Sequence, residues 1–154
     1  MISKYKSAAY LSRALQNKIE EPECYEFYSG PGPLFSSNVK NQNFILEEVY
    51  GQISVAWNDY LKKYIMATSS DISMPRTIQL YSSIKPWGPW VSFGKLNVPK
   101  TAQGKEVNLV YCAYLHPELF LEEGKIINVT YSLQLEDAGF DANCEMVNII
   151  LKKI

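Results

Sequence analysis

His116 is the single histidine in the 154 residues and stands in Tyr114-Leu115-His116-Pro117-Glu118. One imidazole cannot build a histidine-based metal cluster, and no Ser-His triad follows from spacing alone. Two readings of His116 stay open. Hydrogen bonds hold the ring at the end of a strand, or the ring sits close to a ligand or a bound ion, and neutral imidazole does either. A second motif is Ser82-Ser83-Ile84-Lys85-Pro86-Trp87-Gly88-Pro89-Trp90. Proline and glycine set a turn there, and Trp90 opens the next strand. Trp87 and Trp90 are read either as packing rings buried between strands or as a stacking surface for a sugar, whose apolar face an aromatic ring can cover.

The acids to weigh are Glu47, Glu48, Asp59, Asp71 and Glu118. Glycoside hydrolysis requires two carboxyls at a set separation across the scissile bond, which spacing in one sequence does not supply. Asp59 and Asp71 suit turns, where an Asp side chain bonds nearby backbone. Glu48 directly precedes a strand and is less easily explained that way. No glycine-rich phosphate loop occurs, so no cofactor is expected. Cys24, Cys112 and Cys144 have no close pairwise spacing, which argues against a zinc site. They are expected to be buried and inert, Cys112 within the apolar run Leu109-Val110-Tyr111-Cys112-Ala113.

Short strands must position these groups. Tyr is frequent at 11 residues, and Tyr, Val, Ile and Thr favour strands. Alternation places strands at Ile53–Trp57, Tyr64–Thr68 and Thr77–Ser82, with a fourth beginning at Trp90. Asn58-Asp59 turns the chain between the first two. Four short strands in sequence form a meander, the unit of a propeller blade. A second unit follows at Asn108–Leu115, Ile126–Ser132 and Glu145–Leu151, giving a period of roughly 50 residues. Earlier strand-like runs are Ala8–Leu15 and Cys24–Tyr28. A helix over Tyr10–Glu21 is the alternative to the first, but the alternation of Ala9–Arg13 fits the rest of the chain better. The expected fold is therefore all-β, built of antiparallel four-stranded meanders, in a single domain over residues 1–154.

A formal net charge of -1 gives no basic field for nucleic acid. No segment approaches the ~20 apolar residues of a membrane-spanning helix. Met1–Lys6 is positive without a following apolar run and is not a signal peptide, so either the chain is cytoplasmic or its true beginning is missing. Asn128-Val129-Thr130 is a formal glycosylation sequon, but it lies inside a strand, where its use is not expected.

Taken in order, several segments resemble the C-terminal half of the domain-of-unknown-function 4185 family, which is similar to the five-bladed propellers of glycoside hydrolases. They are Ala9–Arg13, Tyr25–Gly30, Ser54–Asn58 with Tyr64–Met66, Tyr81–Ser83 with Gly88–Trp90, His116–Glu118 and Val129–Ser132. The resemblance implies a partial five-bladed β-propeller, about two blades plus part of a preceding one, and a sugar-related role. It implies secretion too, against the reading of the first residues, so localisation is left open. Catalytic aspartates of such propellers lie largely in the absent half, so no catalytic residue is carried over.

The expected ligand-side residues are His116, Glu118, Trp87, Trp90 and Glu48. The expected partner is a polysaccharide or oligosaccharide, not nucleic acid or membrane. The function expected is that of a glycoside-hydrolase-like propeller fragment, inactive alone. A non-catalytic carbohydrate-binding module and a structural protein without a sugar ligand are the alternatives. An unclosed ring leaves strand edges uncovered, so self-association or pairing with the missing half is expected.

Overall fold

The computed structural model describes residues 7–69, 76–135 and 143–152, and within these the protein is all-β. Asp71 lies outside the described residues. Four strands form the meander that alternation predicts: β6 (Tyr50–Asn58), β7 (Lys63–Ser69), β8 (Thr77–Ser83) and β9 (Val91–Asn97), in the sheet order β6-β7-β8-β9. A second antiparallel sheet has the order β10-β11-β12, from Val107–Leu115, Ile126–Leu135 and Asn143–Ile150. Two smaller sheets precede them. β1 (Ala8–Tyr10) pairs with β5 (Phe44–Glu47), and β2 (Ser12–Arg13), β3 (Glu26–Gly30) and β4 (Leu34–Ser36) pair in that order.

The run expected at Ala8–Leu15 is thus two very short strands, followed by a 3₁₀ turn at Gln16–Lys18. The chain from Cys24 reaches strand geometry only at Glu26, because Pro22–Cys24 forms another 3₁₀ turn. Among the described residues, helical structure is confined to such turns. No helix there is long and apolar enough to cross a membrane.

The two larger sheets stack face to face. Ala56, Ile65, Ala67, Ile78 and Leu80 of the first meet Val110, Ala113, Leu115, Ile127, Val129 and Leu133 of the second in one apolar core. Burying an Ile such as Ile65 or Ile127 completely contributes about 1.5–3 kcal/mol each. Strand β6 turns its small residues, Ser54 and Ala56, together with Asn58, toward this core, while Ile53, Val55 and Trp57 face outward. The reason is the close approach of β10. The Leu115 backbone N–H donates to Ser54 Oγ at 3.1 Å, and Cys112 Sγ donates to Gln52 Oε1 at 3.3 Å. These contacts set β10 beside β6 and running in the same direction.

A bulge in β10 reverses its facing. Tyr111 pairs with Ser132 and Tyr114 with Thr130, so β10 spends one residue more than β11 over this stretch. Cys112 takes up the change at φ 53°. Beyond the bulge Ala113 and Leu115 are the buried residues, which leaves Tyr114 and His116 on the opposite side.

The cysteine expectation is corrected. Cys24 and Cys112 are half-buried and Cys144 is exposed, all as free thiols. Cys112 belongs to an apolar run, but the bulge keeps its side chain out of the core. The Cys24 thiol is pushed up by its hydrogen bond to Glu21, then by slight desolvation and the charges of Glu21 and Glu23.

Candidate functional site

In a meander, the first and third turns lie at the same end. Residues 59–62 and 84–90 therefore share one end of the first sheet, and β10, parallel to β6, delivers His116 to that end too. The 3₁₀ turn Pro117–Leu119 that follows His116 packs against β6.

His116 is held from both sides. Its Nδ1 lies 2.9 Å from Glu118 Oε1, and its Nε2 lies 2.8 Å from Thr130 Oγ1 on β11. An ionised carboxylate only accepts, so Nδ1 carries the proton, and in the neutral ring Nε2 accepts from the Thr130 hydroxyl. The Tyr114 ring lies 5.6 Å from the imidazole in a tilted contact and is 56% exposed. The backbone N–H of Glu118 and then the His116 hydrogen bond hold its carboxyl below the usual glutamate range. Both imidazole nitrogens are engaged inside the protein. The outward groups are the Glu118 side chain and the Tyr114 ring.

A second outward aromatic group was not singled out from sequence. Trp57 is 42% exposed, and its ring meets Tyr64 across the β6–β7 pair edge to face at 5.0 Å. Its indole Nε1 donates to Asp59 Oδ1 at 3.2 Å, and Lys62 Nζ lies 3.2 Å from the same oxygen. Lys62 and then Trp57 lower the Asp59 carboxyl. Asp59 lies in the 59–62 turn as expected, but Asn58 is the side chain that bonds backbone there, and Asp59 instead fixes an aromatic ring. The available signal was the sequence Trp57-Asn58-Asp59, with an indole N–H two residues from a carboxylate.

The other expected residues are placed as follows. Trp90 is 9% exposed, with its ring in the protein interior. Trp87 is half-buried, with Lys85 Nζ 5.7 Å from its ring centre. The Gly88–Pro89 bond between them is cis. Glu48 is exposed at φ 58°, and its N–H donates to the Ser7 carbonyl at 2.9 Å. Burial, and then the Glu48 charge, raise the Tyr81 phenol. Glu48 precedes β6 and so enters from the end opposite to His116. Glu47 is exposed at the end of β5. Asn128 of the sequon is 6% exposed and donates to Asn148 Oδ1 at 2.7 Å within the β11–β12 pair, so it is no surface acceptor.

Stacked antiparallel meanders with an aromatic and polar end define an all-β protein of the kind the alternation predicts. Residues 3–136 match the family described as a domain of unknown function (DUF4185), and the chain belongs to that family. No curated protein matches the chain.

Proposed function

We propose that the chain binds polysaccharide or oligosaccharide at the Tyr114–His116–Glu118 end of its sheets, within a propeller-like stack similar to that of glycoside hydrolases. The carrying observation is the half-exposed Tyr114 ring against His116, whose imidazole is held by Thr130 and in turn holds the Glu118 carboxylate. An open aromatic face covers the C–H face of a sugar ring, and an oriented anionic oxygen accepts from its hydroxyls. The side-by-side inner strands β6 and β10, each opening an antiparallel meander, support the propeller-like reading.

Binding fits this end better than acid catalysis. A glycosidase general acid requires a carboxyl raised toward neutrality, whereas Glu118 and Asp59 are both lowered. Trp57, braced by Tyr64 and Asp59, supplies a second stacking surface along the same end. The experiment is affinity gel electrophoresis of the chain through soluble arabinan and a panel of other neutral polysaccharides. Retarded migration in at least one gel is expected, and unchanged mobility in all of them would contradict the proposal.

A further inference from the structure

Starting at the 59–62 turn, residues of β7, β8, β9 and the end of β12 line a cleft of about 660 Å³. That volume falls within the roughly 300–1,000 Å³ typical of small-molecule sites. Buried Leu80 and Leu151 and half-buried Leu96 supply its apolar surface. Lys63 at the start of β7 and Lys152 after β12 bring cations to one end of it, while Lys95 alternates to the opposite face of β9 from Gly94, and no acid stands among the described lining residues. None of the three has an ion-pair partner among the described residues.

Gly94 keeps this cleft open. Glycine in mid-strand weakens a sheet and often marks a place where a ligand comes close. A Cβ built on Gly94 would meet only Leu80 Cδ1, at 3.9 Å, so a larger side chain there would extend into the cleft above Leu80.

We infer that this cleft binds a single-chain amphiphile with a linear apolar tail and an anionic head, a free long-chain carboxylate. The tail lies over Gly94 between Leu80, Leu96 and Leu151, and the head is held at the end of the cleft that carries Lys63 and Lys152. Charge complementarity selects this occupant. An uncharged apolar ligand leaves these two cations unanswered, and a cationic amphiphile is repelled. Leu151 and Lys152 lie beyond the residues that match the family, whereas Lys63, Leu80, Gly94 and Leu96 lie within them. The inference does not depend on the sugar-binding proposal.

The test is titration calorimetry of the whole chain with sodium dodecanoate below its micellar concentration, alongside dodecanol and dodecyltrimethylammonium. Dodecanoate should bind with one-to-one stoichiometry. Dodecanol should bind about tenfold more weakly and the cation more weakly still, as loss or reversal of the rim attraction requires. Lys63→Glu with Lys152→Glu should weaken dodecanoate about tenfold or more at unchanged melting temperature, since both side chains are exposed. Gly94→Leu should abolish binding while leaving the chain folded.

Equal affinity for all three amphiphiles, or no dodecanoate binding, would overturn the inference. Binding to phosphatidylglycerol vesicles without binding to monomeric dodecanoate would also overturn it, by assigning the cleft to a membrane surface. A concentration-dependent dimer in sedimentation velocity, dissolved by Gly94→Leu, would assign the cleft to a second copy and overturn it equally.

Discussion

The Asn58 side-chain amide is completely buried and donates to the Gly124 carbonyl at 2.7 Å, joining the end of β6 to the turn that precedes β11. Asn58 Oδ1 accepts from the Leu61 backbone N–H at 2.8 Å, so one side chain closes its own hairpin and ties the two large sheets together. Gly124 sits at φ 92°, and a Cβ there would lie 2.7 Å from Asn58 Nδ2. Asn58→Ala strands two buried backbone groups and should destabilise the fold by about 2–4 kcal/mol in urea denaturation. Gly124→Ala should destabilise by about 1–3 kcal/mol, because it combines left-handed backbone with a steric conflict. A change below 0.5 kcal/mol in both would show that the clamp does not hold the sheets.

The bulge at Cys112 makes a prediction of its own. A β-branched side chain at φ 53° is strained, whereas glycine adopts that conformation freely. Cys112→Val should lose about 1–2 kcal/mol of stability, and Cys112→Gly should be close to neutral. Paired chemical denaturation curves decide it. Equal loss in both variants would mean that the thiol's contact with Gln52 matters, and not the backbone.

Glu118 should titrate below the ordinary glutamate value of 4.5. Its folded value is depressed, so the His116–Glu118 contact is intact above the ordinary range and is lost as pH falls through the lower folded value. Carboxyl carbon NMR across pH 2–7 measures it directly. His116→Ala should move the Glu118 midpoint upward, toward the ordinary value. A midpoint already at or above that value in the unaltered protein would break the picture of a locked carboxylate.

At the alkaline side Tyr131 is the sensitive group. Burial first, then the charge and hydrogen bond of Glu145, raise its phenol above the ordinary value of 10. A raised folded value means that stability is complete below the unfolded value and declines as pH rises through the folded one. Melting temperature should therefore fall above about pH 10, and Tyr131→Phe should reduce the slope of that fall. An identical slope in the variant would place the alkaline sensitivity elsewhere.

The strands themselves were legible because alternation over Ile53–Trp57, Tyr64–Thr68 and Thr77–Ser82 carries the period of a half-buried sheet. Their facing was not. The large residues of β6 point outward because Ser54 and Ala56 are the ones small enough to sit beneath β10, a contact across about 60 residues that no local pattern encodes. The bulge was equally hidden, since a positive φ on a cysteine has no signature in composition. His116 drew notice as the single histidine and Glu118 joined it through the motif shared with the family, while Thr130 and Tyr114 joined them only through strand register. Trp87 and Trp90 drew notice as a motif, yet the exposed indole is Trp57. The lysine-rimmed cleft joins residues 93–96 to 149–152, a pairing that depends wholly on how the sheets stack.

The most direct measurement of the central claim compares polysaccharide affinity and stability in Tyr114→Ala and His116→Ala. Tyr114 is more than half exposed and His116 is half-buried at a strand end, so both variants should unfold within about 1 kcal/mol of the parent protein. Binding to whichever polysaccharide retards the chain should weaken about tenfold or more in each, equivalent to ~1.4 kcal/mol. Undiminished affinity in both variants at unchanged stability would place any sugar contact elsewhere on the molecule and contradict the account.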